Sequence, residues 1–265
     1  MGPLVSRVLV AVIGLPIVLL IVHAGGWWLF ALAVVAAVLA LHEYALMIRS
    51  LRPVILAAYT GAVLSLLGAR LGGADWTLAG LLVALALAFL LHWIAETRQS
   101  ATVAIASTVL GTAWIGVCLA HLLLIRGIHP KGELAAFTVL LAVWAGDIGA
   151  FFAGRMIGRH KLAPALSPGK TWEGFLFGTA ATVFVSFVAL YKQDYLSIWE
   201  SLVLGLVIAI AAPLGDLFES ALKRDMQVKD SGRLLAAHGG VLDRIDSLLF
   251  AAVASYYLLR AFAAA

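Results

Sequence analysis

Four carboxylates in the C-terminal half are spaced so that each pair would share a helix face. Asp216 and Glu219 stand three residues apart, with Ser220 and Lys223 continuing the row. Asp243 and Asp246 repeat the spacing, with Arg244 and Ser247 beside them. Positions i, i+3 and i+4 are neighbours on a helix surface, so each pair points two negative groups the same way. Such groups repel unless cations neutralise them, and hard divalent ions such as Mg²⁺ take oxygen ligands that they commonly share with phosphates. The spacing equally allows Asp216 and Glu219 to form ion pairs with Lys223 or Arg224.

A second polar segment, residues 144–174, contains Asp147, Arg155, Arg159, Lys161 and the run Ser167-Pro-Gly-Lys170-Thr171. That run ends like a phosphate-binding loop, but Pro164 stands where G-x-x-x-x-G-K-[ST] requires its first glycine, and no β-α-β context surrounds it. The spacing predicts a short Pro/Gly turn, followed by a helix opened by Trp172 and Glu173. Backbone N–H groups at a helix start, with one lysine beside them, suit a phosphate. They suit a loop held down by anionic lipid head groups as well. His238-Gly239-Gly240 is a flexible turn that lets backbone approach a ligand closely. His42 and Glu43 read as a buried polar pair, either a hydrogen-bonded link between helices or a functional element.

The elements that position these residues must be membrane helices. Of 265 residues, 63% are hydrophobic and only 12% charged, with mean hydropathy +1.05, whereas soluble domains carry about 25% charged residues. A spanning helix needs about 20 mainly apolar residues. Nine stretches approach this, at 7–24, 27–48, 54–72, 76–95, 102–125, 134–154, 172–191, 198–220 and 247–264. The expected fold is an all-α polytopic helix bundle. Residues 1–130 would form five N-terminal spans and residues 131–265 four catalytic spans with their loops. The lone Cys118, in an apolar run, excludes a disulfide framework and a multi-thiolate metal site.

Net charge of +4 and pI near 9.4 could suggest nucleic acid, but the cations lie between apolar runs and read as an orientation signal. With the N-terminus inside, Arg7, Arg49, Arg52, Arg98, Arg155, Arg159, Lys161, Lys170, Lys223, Arg224, Lys229, Arg233 and Arg244 fall on the cytoplasmic side. Arg70, Arg126, Lys131, Lys192 and Arg260 fall opposite, a 13 to 5 division of all 18 Lys and Arg. The division predicts N-in, C-out, with both polar segments facing the cytoplasm. No nucleic-acid partner is expected. Many Gly and Ala would permit two copies to pair through helix faces.

The run Ser220-Ala-Leu-Lys223-Arg224, Lys229-Asp230-Ser-Gly232, His238-Gly239-Gly240, Asp243-Arg244-Ile-Asp246 resembles the signature of the phosphatidate cytidylyltransferases, the CDP-diacylglycerol synthases. Asp147, Gly154-Arg155, Lys161-Leu-Ala-Pro164 and Ser167-Pro-x-Lys170-Thr171-Trp172-Glu173-Gly174 resemble the same family. The likeness covers roughly residues 140–250. It departs from the family at Ala236-Ala237, where the signature has Pro-Gly, which makes that loop more helix-prone.

The resemblance implies that CTP and phosphatidic acid give CDP-diacylglycerol and pyrophosphate at the cytoplasmic boundary of an integral membrane protein. The sequence shows no targeting segment, which predicts a bacterial inner membrane. The resemblance also implies Mg²⁺, with a second cation conceivable, on Asp216, Asp243, Asp246 and Asp147. Lys223 and Arg244 join the first three as catalytic groups. Ser167, Lys170, Thr171, Ser220, Arg224, Lys229, Asp230, His238, Gly239 and Gly240 would bind substrate. The D-G-x2-A-R-x8-G-x3-D-x3-D run of the CDP-alcohol phosphatidyltransferases is missing from the chain. A CTP-dependent polyprenol kinase is the closest rival in chemistry. A transporter is the non-enzymatic one, although the acids cluster at one surface and no inverted repeat appears.

Overall fold

Apolar runs of the predicted length do become helices. In a computed structural model that describes residues 3–96, 100–229, 231–232 and 239–264, with side chains from Gly14 onward, the order begins α1 (Pro3–Ala24), α2 (Gly26–Met47), α3 (Ile55–Leu71) and α4 (Ala74–Ile94). It continues with α5 (Ala101–Gly111), α6 (Cys118–Arg126), α7 (Gly132–Ile157), α8 (Trp172–Leu190), α9 (Ile198–Asp225) and α10 (Leu242–Ala264). A π-helical stretch, Thr112–Val117, joins α5 to α6 as one rod, and a 3₁₀ turn, Arg49–Leu51, follows α2. Counting that rod once, nine helices lie among the described residues, one for each expected span. Asp230, His238, Arg98, Arg233 and Ala236-Ala237 lie outside the described residues.

Seven of these helical rods are long and apolar enough to cross a bilayer by themselves, and the chain is an integral membrane protein. Their outward faces fit lipid as the solvent: Met156, Trp199, Trp28 and Trp93 are each more than two-thirds exposed. Trp28, Trp76, Trp172 and Trp199 stand in the first turns of α2, α4, α8 and α9, the level at which indole rings favour the membrane–water interface.

One element was not expected. Residues 161–171 form a two-stranded antiparallel hairpin, β1 (Lys161–Ala163) and β2 (Ser167–Thr171), with Lys161 opposite Thr171 and Ala163 opposite Ser167. The predicted Pro/Gly turn over Ser167–Thr171 is therefore a strand. Strands of three and five residues carry too few side chains for a period-2 pattern to show. The true turn lies at 164–166, where the Leu166 N–H donates to the Ala163 carbonyl over 3.2 Å.

The chain divides into two compact units, Met1–Gly127 with Met226–Ile245, and Ile128–Asp225 with Asp246–Ala265. In the first, α3 and α4 cross closely because Gly61 and Gly80 face each other, and a Cβ at Gly61 would meet Ala84 Cβ, the Gly80 carbonyl and Thr112. Tyr44 ties α2 to α5: its hydroxyl donates to the Ser107 carbonyl over 2.9 Å and its ring meets Trp114 edge-on. In the second, α7 and α8 cross through Gly146, Gly149, Gly174 and Gly178, small residues that let membrane helices approach closely. A Cβ at Gly178 would stand 2.8 Å from the Gly146 carbonyl oxygen and 3.0 Å from Ala150 Cβ. Gly178→Leu should therefore destabilise the protein by roughly 1–3 kcal/mol through overpacking. Gly14→Ala, at a position with nothing within 4 Å, should not. Thermal unfolding of detergent-purified variants checks both, and equal melting temperatures would contradict the crossing.

Candidate active site

The second unit gathers charge around one cavity. Asp147, Ala150, Phe151, Gly154 and Arg155 of α7 line it, with spacings of three and four that place them on one helix face. The hairpin adds Leu162, Ser167, Gly169, Lys170 and Thr171, α8 adds Gly174 and Phe175, and α9 adds Pro213 and Asp216. The volume is about 560 Å³, within the rough range of 300–1,000 Å³ for ligand pockets. Cations and hydroxyls share its lining with two phenyl rings, a leucine and a proline, so the cavity can take a molecule that carries both an anionic and an apolar group.

The hairpin is held at both ends. At its base, the Glu173 carboxylate in the first turn of α8 accepts from the backbone N–H groups of Arg159 and His160 at 3.1 and 3.2 Å. The same carboxylate meets His160 Nδ1 at 2.6 Å. Trp172 N–H donates to the His160 carbonyl over 2.9 Å. Thr171 caps α8, its hydroxyl accepting from Gly174 N–H at 3.1 Å. At the tip, Arg224 Nε donates to the Leu166 carbonyl over 3.1 Å. Thus Arg224, a predicted substrate-binding residue, is shown gripping the turn.

This clamped hairpin delivers Lys170 to Asp216, with 2.7 Å between ammonium and carboxylate. Three residues along α9, Glu219 is fully buried and pairs with Lys223 over 3.0 Å. The Ser220 hydroxyl donates to Asp216 Oδ1 over 3.4 Å. From α10 the buried Asp246 comes within hydrogen-bond reach of Glu219 and near Asp216. Its Oδ1 accepts from Ser247 N–H at 2.7 Å. Three carboxylates here meet two lysines. Of the two sequence alternatives, the ion pair with Lys223 is present for Glu219, while Asp216 is joined by Lys170 from a segment 46 residues away in sequence.

Among the described residues, no three His, Cys, Asp or Glu side chains converge tightly enough to hold a metal ion alone. Mg²⁺ asks for less, since it is usually bound through one or two carboxylates while keeping waters and substrate phosphates. Asp216 and Asp246 fit that requirement. The Lys170 ammonium already marks the Asp216 oxygen as a place for positive charge.

The first unit contains the remaining signature residues. Asp243 lies in the first turn of α10, where its Oδ2 accepts from Gly240 N–H at 2.9 Å and its Oδ1 from Ser231 N–H at 3.5 Å. Gly239 has φ +80°, and a Cβ there would meet Asp243 Oδ2 at 3.2 Å. Lys229 and Arg244 are exposed. His42 and Glu43 do not form the expected pair: His42 is exposed and meets Tyr59 through Nδ1 at 3.2 Å, whereas Glu43 is fully buried. Adjacent positions on an α-helix point about 100° apart, so one faces outward and its neighbour inward.

Sequence reasoning gave Arg155 no role. Its spacing of eight from Asp147 on one helix was the available signal. Glu43 was left without a role because its partners lie about two hundred residues along the chain.

The helical fold and this phosphate-suited site define a class, and residues 5–262 match the sequence profile of the cytidylyltransferase family. The chain belongs to the cytidylyltransferase family and is a nucleotidyltransferase of phospholipid synthesis. The phosphatidate cytidylyltransferase of Staphylococcus haemolyticus (strain JCSC1435) is 34% identical over 248 residues, covering 92% of this chain and 94% of that protein. That of Synechocystis sp. (strain ATCC 27184 / PCC 6803 / Kazusa) is 32% identical over 289 residues, covering 96% of each. That of Staphylococcus aureus (strain COL) is 34% identical over 250 residues, covering 92% of this chain and 94% of its own.

The hairpin clamp generates a direct expectation. Arg224→Gln removes a charged donor worth roughly 1.5 kcal/mol or more. Hydrogen exchange of the amides at 161–171 should accelerate about tenfold, while the amides of α3 and α4 are unchanged. Equal exchange in the hairpin would show that Arg224 does not hold it.

Proposed function

We propose that the chain transfers the cytidylyl group of CTP to phosphatidate, giving CDP-diacylglycerol and pyrophosphate, and that the cavity of the second unit receives the reacting phosphates. The observation that carries the proposal is the Lys170–Asp216 pair in a cavity lined by both charged and apolar side chains. Phosphatidate carries both kinds of group, a phosphate on an acylated glycerol. Its head group stays at the leaflet surface while CTP arrives from water, so a site serving both belongs at the boundary. The orientation read from the basic residues makes that boundary cytoplasmic. By analogy with the bacterial relatives, the membrane would be the inner one.

Both reactants are anions, so their approach is the physical obstacle. Lys170 and Arg155 supply fixed positive charge on the cavity wall. The hairpin clamp keeps Lys170 in place and spares the reaction the cost of ordering it. Ser167 and Thr171 line the same wall. A divalent cation such as Mg²⁺, held by Asp216 and Asp246, would supply the remaining neutralisation, with Asp147 in the cavity lining as an additional anionic position. The family signature extends the metal role to Asp243, and substrate contact to Lys223, Arg244, Ser220, Lys229, Asp230, His238, Gly239 and Gly240.

The bond-making step needs no protein nucleophile. A non-bridging oxygen of phosphatidate, already ionised at neutral pH, forms a bond to the α-phosphorus of CTP. The bond from that phosphorus to the oxygen bridging to the β-phosphate breaks, and pyrophosphate leaves with the electron pair. Positioning and electrostatics therefore carry the catalysis, as is general for transfers at phosphorus.

The test is purified protein with Mg²⁺, phosphatidate and CTP labelled in either the α- or the γ-phosphate. Label from the α-position should enter lipid and label from the γ-position should appear in pyrophosphate. Lipid labelled from the γ-position would instead identify a lipid kinase. Chelation with EDTA should stop transfer and added Mg²⁺ should restore it; transfer that persists in the chelator would remove the metal from the proposal.

A further inference from the structure

Glu43 is the one fully buried carboxylate of the first unit's described helices, and it is not part of the cavity lining. It stands in the last turns of α2, and its Oε2 accepts from Leu242 N–H, the first amide of α10, at 2.9 Å. Two glycines make room for it. A Cβ at Gly232 would meet Glu43 Oε1 in a clash and stand 2.6 Å from its Cγ and Cδ. One at Gly240 would stand 2.6 Å from Glu43 Oε2 and also strike the Ser231 hydroxyl. The carboxylate is thus wedged between the backbone at Gly232 and the backbone at Gly240. The next residue, Tyr44, fixes that end of α2 through its bond to the Ser107 carbonyl, so the wedge stands on a rigid support.

The same short stretch carries Asp243, whose two oxygens accept from Gly240 and Ser231 N–H groups. Two carboxylates therefore bind one turn. Asp243 ties Ser231 and Gly240 to α10, and Glu43 ties that assembly to α2. A negative group at a helix start is favoured by the helix dipole and by the unsatisfied amides there. A buried carboxyl oxygen without a donor would be unfavourable, so the Leu242 amide and Glu43 Oε2 satisfy each other.

We propose that Glu43 is a positioning residue for the transfer reaction: its buried side chain, between Gly232 and Gly240, sets where the Asp243 turn stands. Glu43 is fully enclosed, so it acts through the turn and not on substrate. The inference rests on the function proposed above for Asp243. The glycines at 232 and 240 are required by the wedge itself, since no larger residue leaves space for it.

Full-length Glu43→Gln, Glu43→Asp, Gly232→Ala and the double variant Glu43→Asp/Gly232→Ala separate the possibilities. Glu43→Gln keeps the shape and removes the charge. It should reduce kcat about 10- to 100-fold, the usual effect of losing a partner that orients a catalytic ligand, with the KM for CTP changed less than threefold and the melting temperature nearly kept. Gly232→Ala should lower both activity and melting temperature. Shortening the acid in the double variant should recover part of both, because the added methyl then has room. Glu43→Gln with wild-type kcat would overturn the positioning role. A double variant no better than Gly232→Ala would overturn the wedge. If the wild-type protein transfers no cytidylyl group, the functional proposal has failed, and the melting temperatures alone still decide the wedge.

Discussion

The second unit depends on holding three carboxylates close together, beside two lysines, at the ends of apolar helices. Asp216, Glu219 and Asp246 come from two helices whose remaining surface is made for lipid. Their mutual repulsion in such surroundings is offset by Lys170 and Lys223. Removing Lys223 would leave the buried Glu219 without its counter-charge, which costs far more than an exposed ion pair contributes. Lys223 comes from the same helix as Glu219, whereas Lys170 reaches Asp216 on a strand of the hairpin, with Glu173 at its base and Arg224 at its tip.

The arrangement also explains why the cavity has two characters. α7 presents Asp147 and Arg155 on the same face as Ala150 and Phe151, and α8 brings Phe175 against the hairpin. A soluble nucleotide needs only charged groups, whereas a lipid phosphate needs apolar surface beside them. The close α7–α8 crossing, made by glycines, brings these walls near enough to form one pocket.

Much of the fold was legible because lipid imposes a simple rule: a helix must be long enough to span, and each apolar run of that length became one. The signature between 216 and 246, which marks the family, was equally open to reading. The hairpin was hidden because Lys161–Ala163 and Ser167–Thr171 are too short for periodicity and contain Pro and Gly, which signal turns. Pairing was only half legible. Glu219 with Lys223 follows from i, i+4 spacing, but Asp216 with Lys170 is a tertiary contact. Glu43 was the least visible of all, since its neighbours Gly232, Gly240 and Leu242 have no local relation to it. Reading His42 and Glu43 as a pair mistook adjacency in sequence for adjacency in space.

The central claim is that Asp216 and Asp246 serve a divalent cation in the transfer of a cytidylyl group. The most direct measurement is the dependence of initial rate on Mg²⁺ concentration for the wild type, Asp216→Asn and Asp246→Asn, with CTP and phosphatidate saturating. The account predicts that each substitution lowers the maximal rate and moves half-activation to at least tenfold higher Mg²⁺. Variants that reach the wild-type rate at the wild-type Mg²⁺ concentration would contradict it.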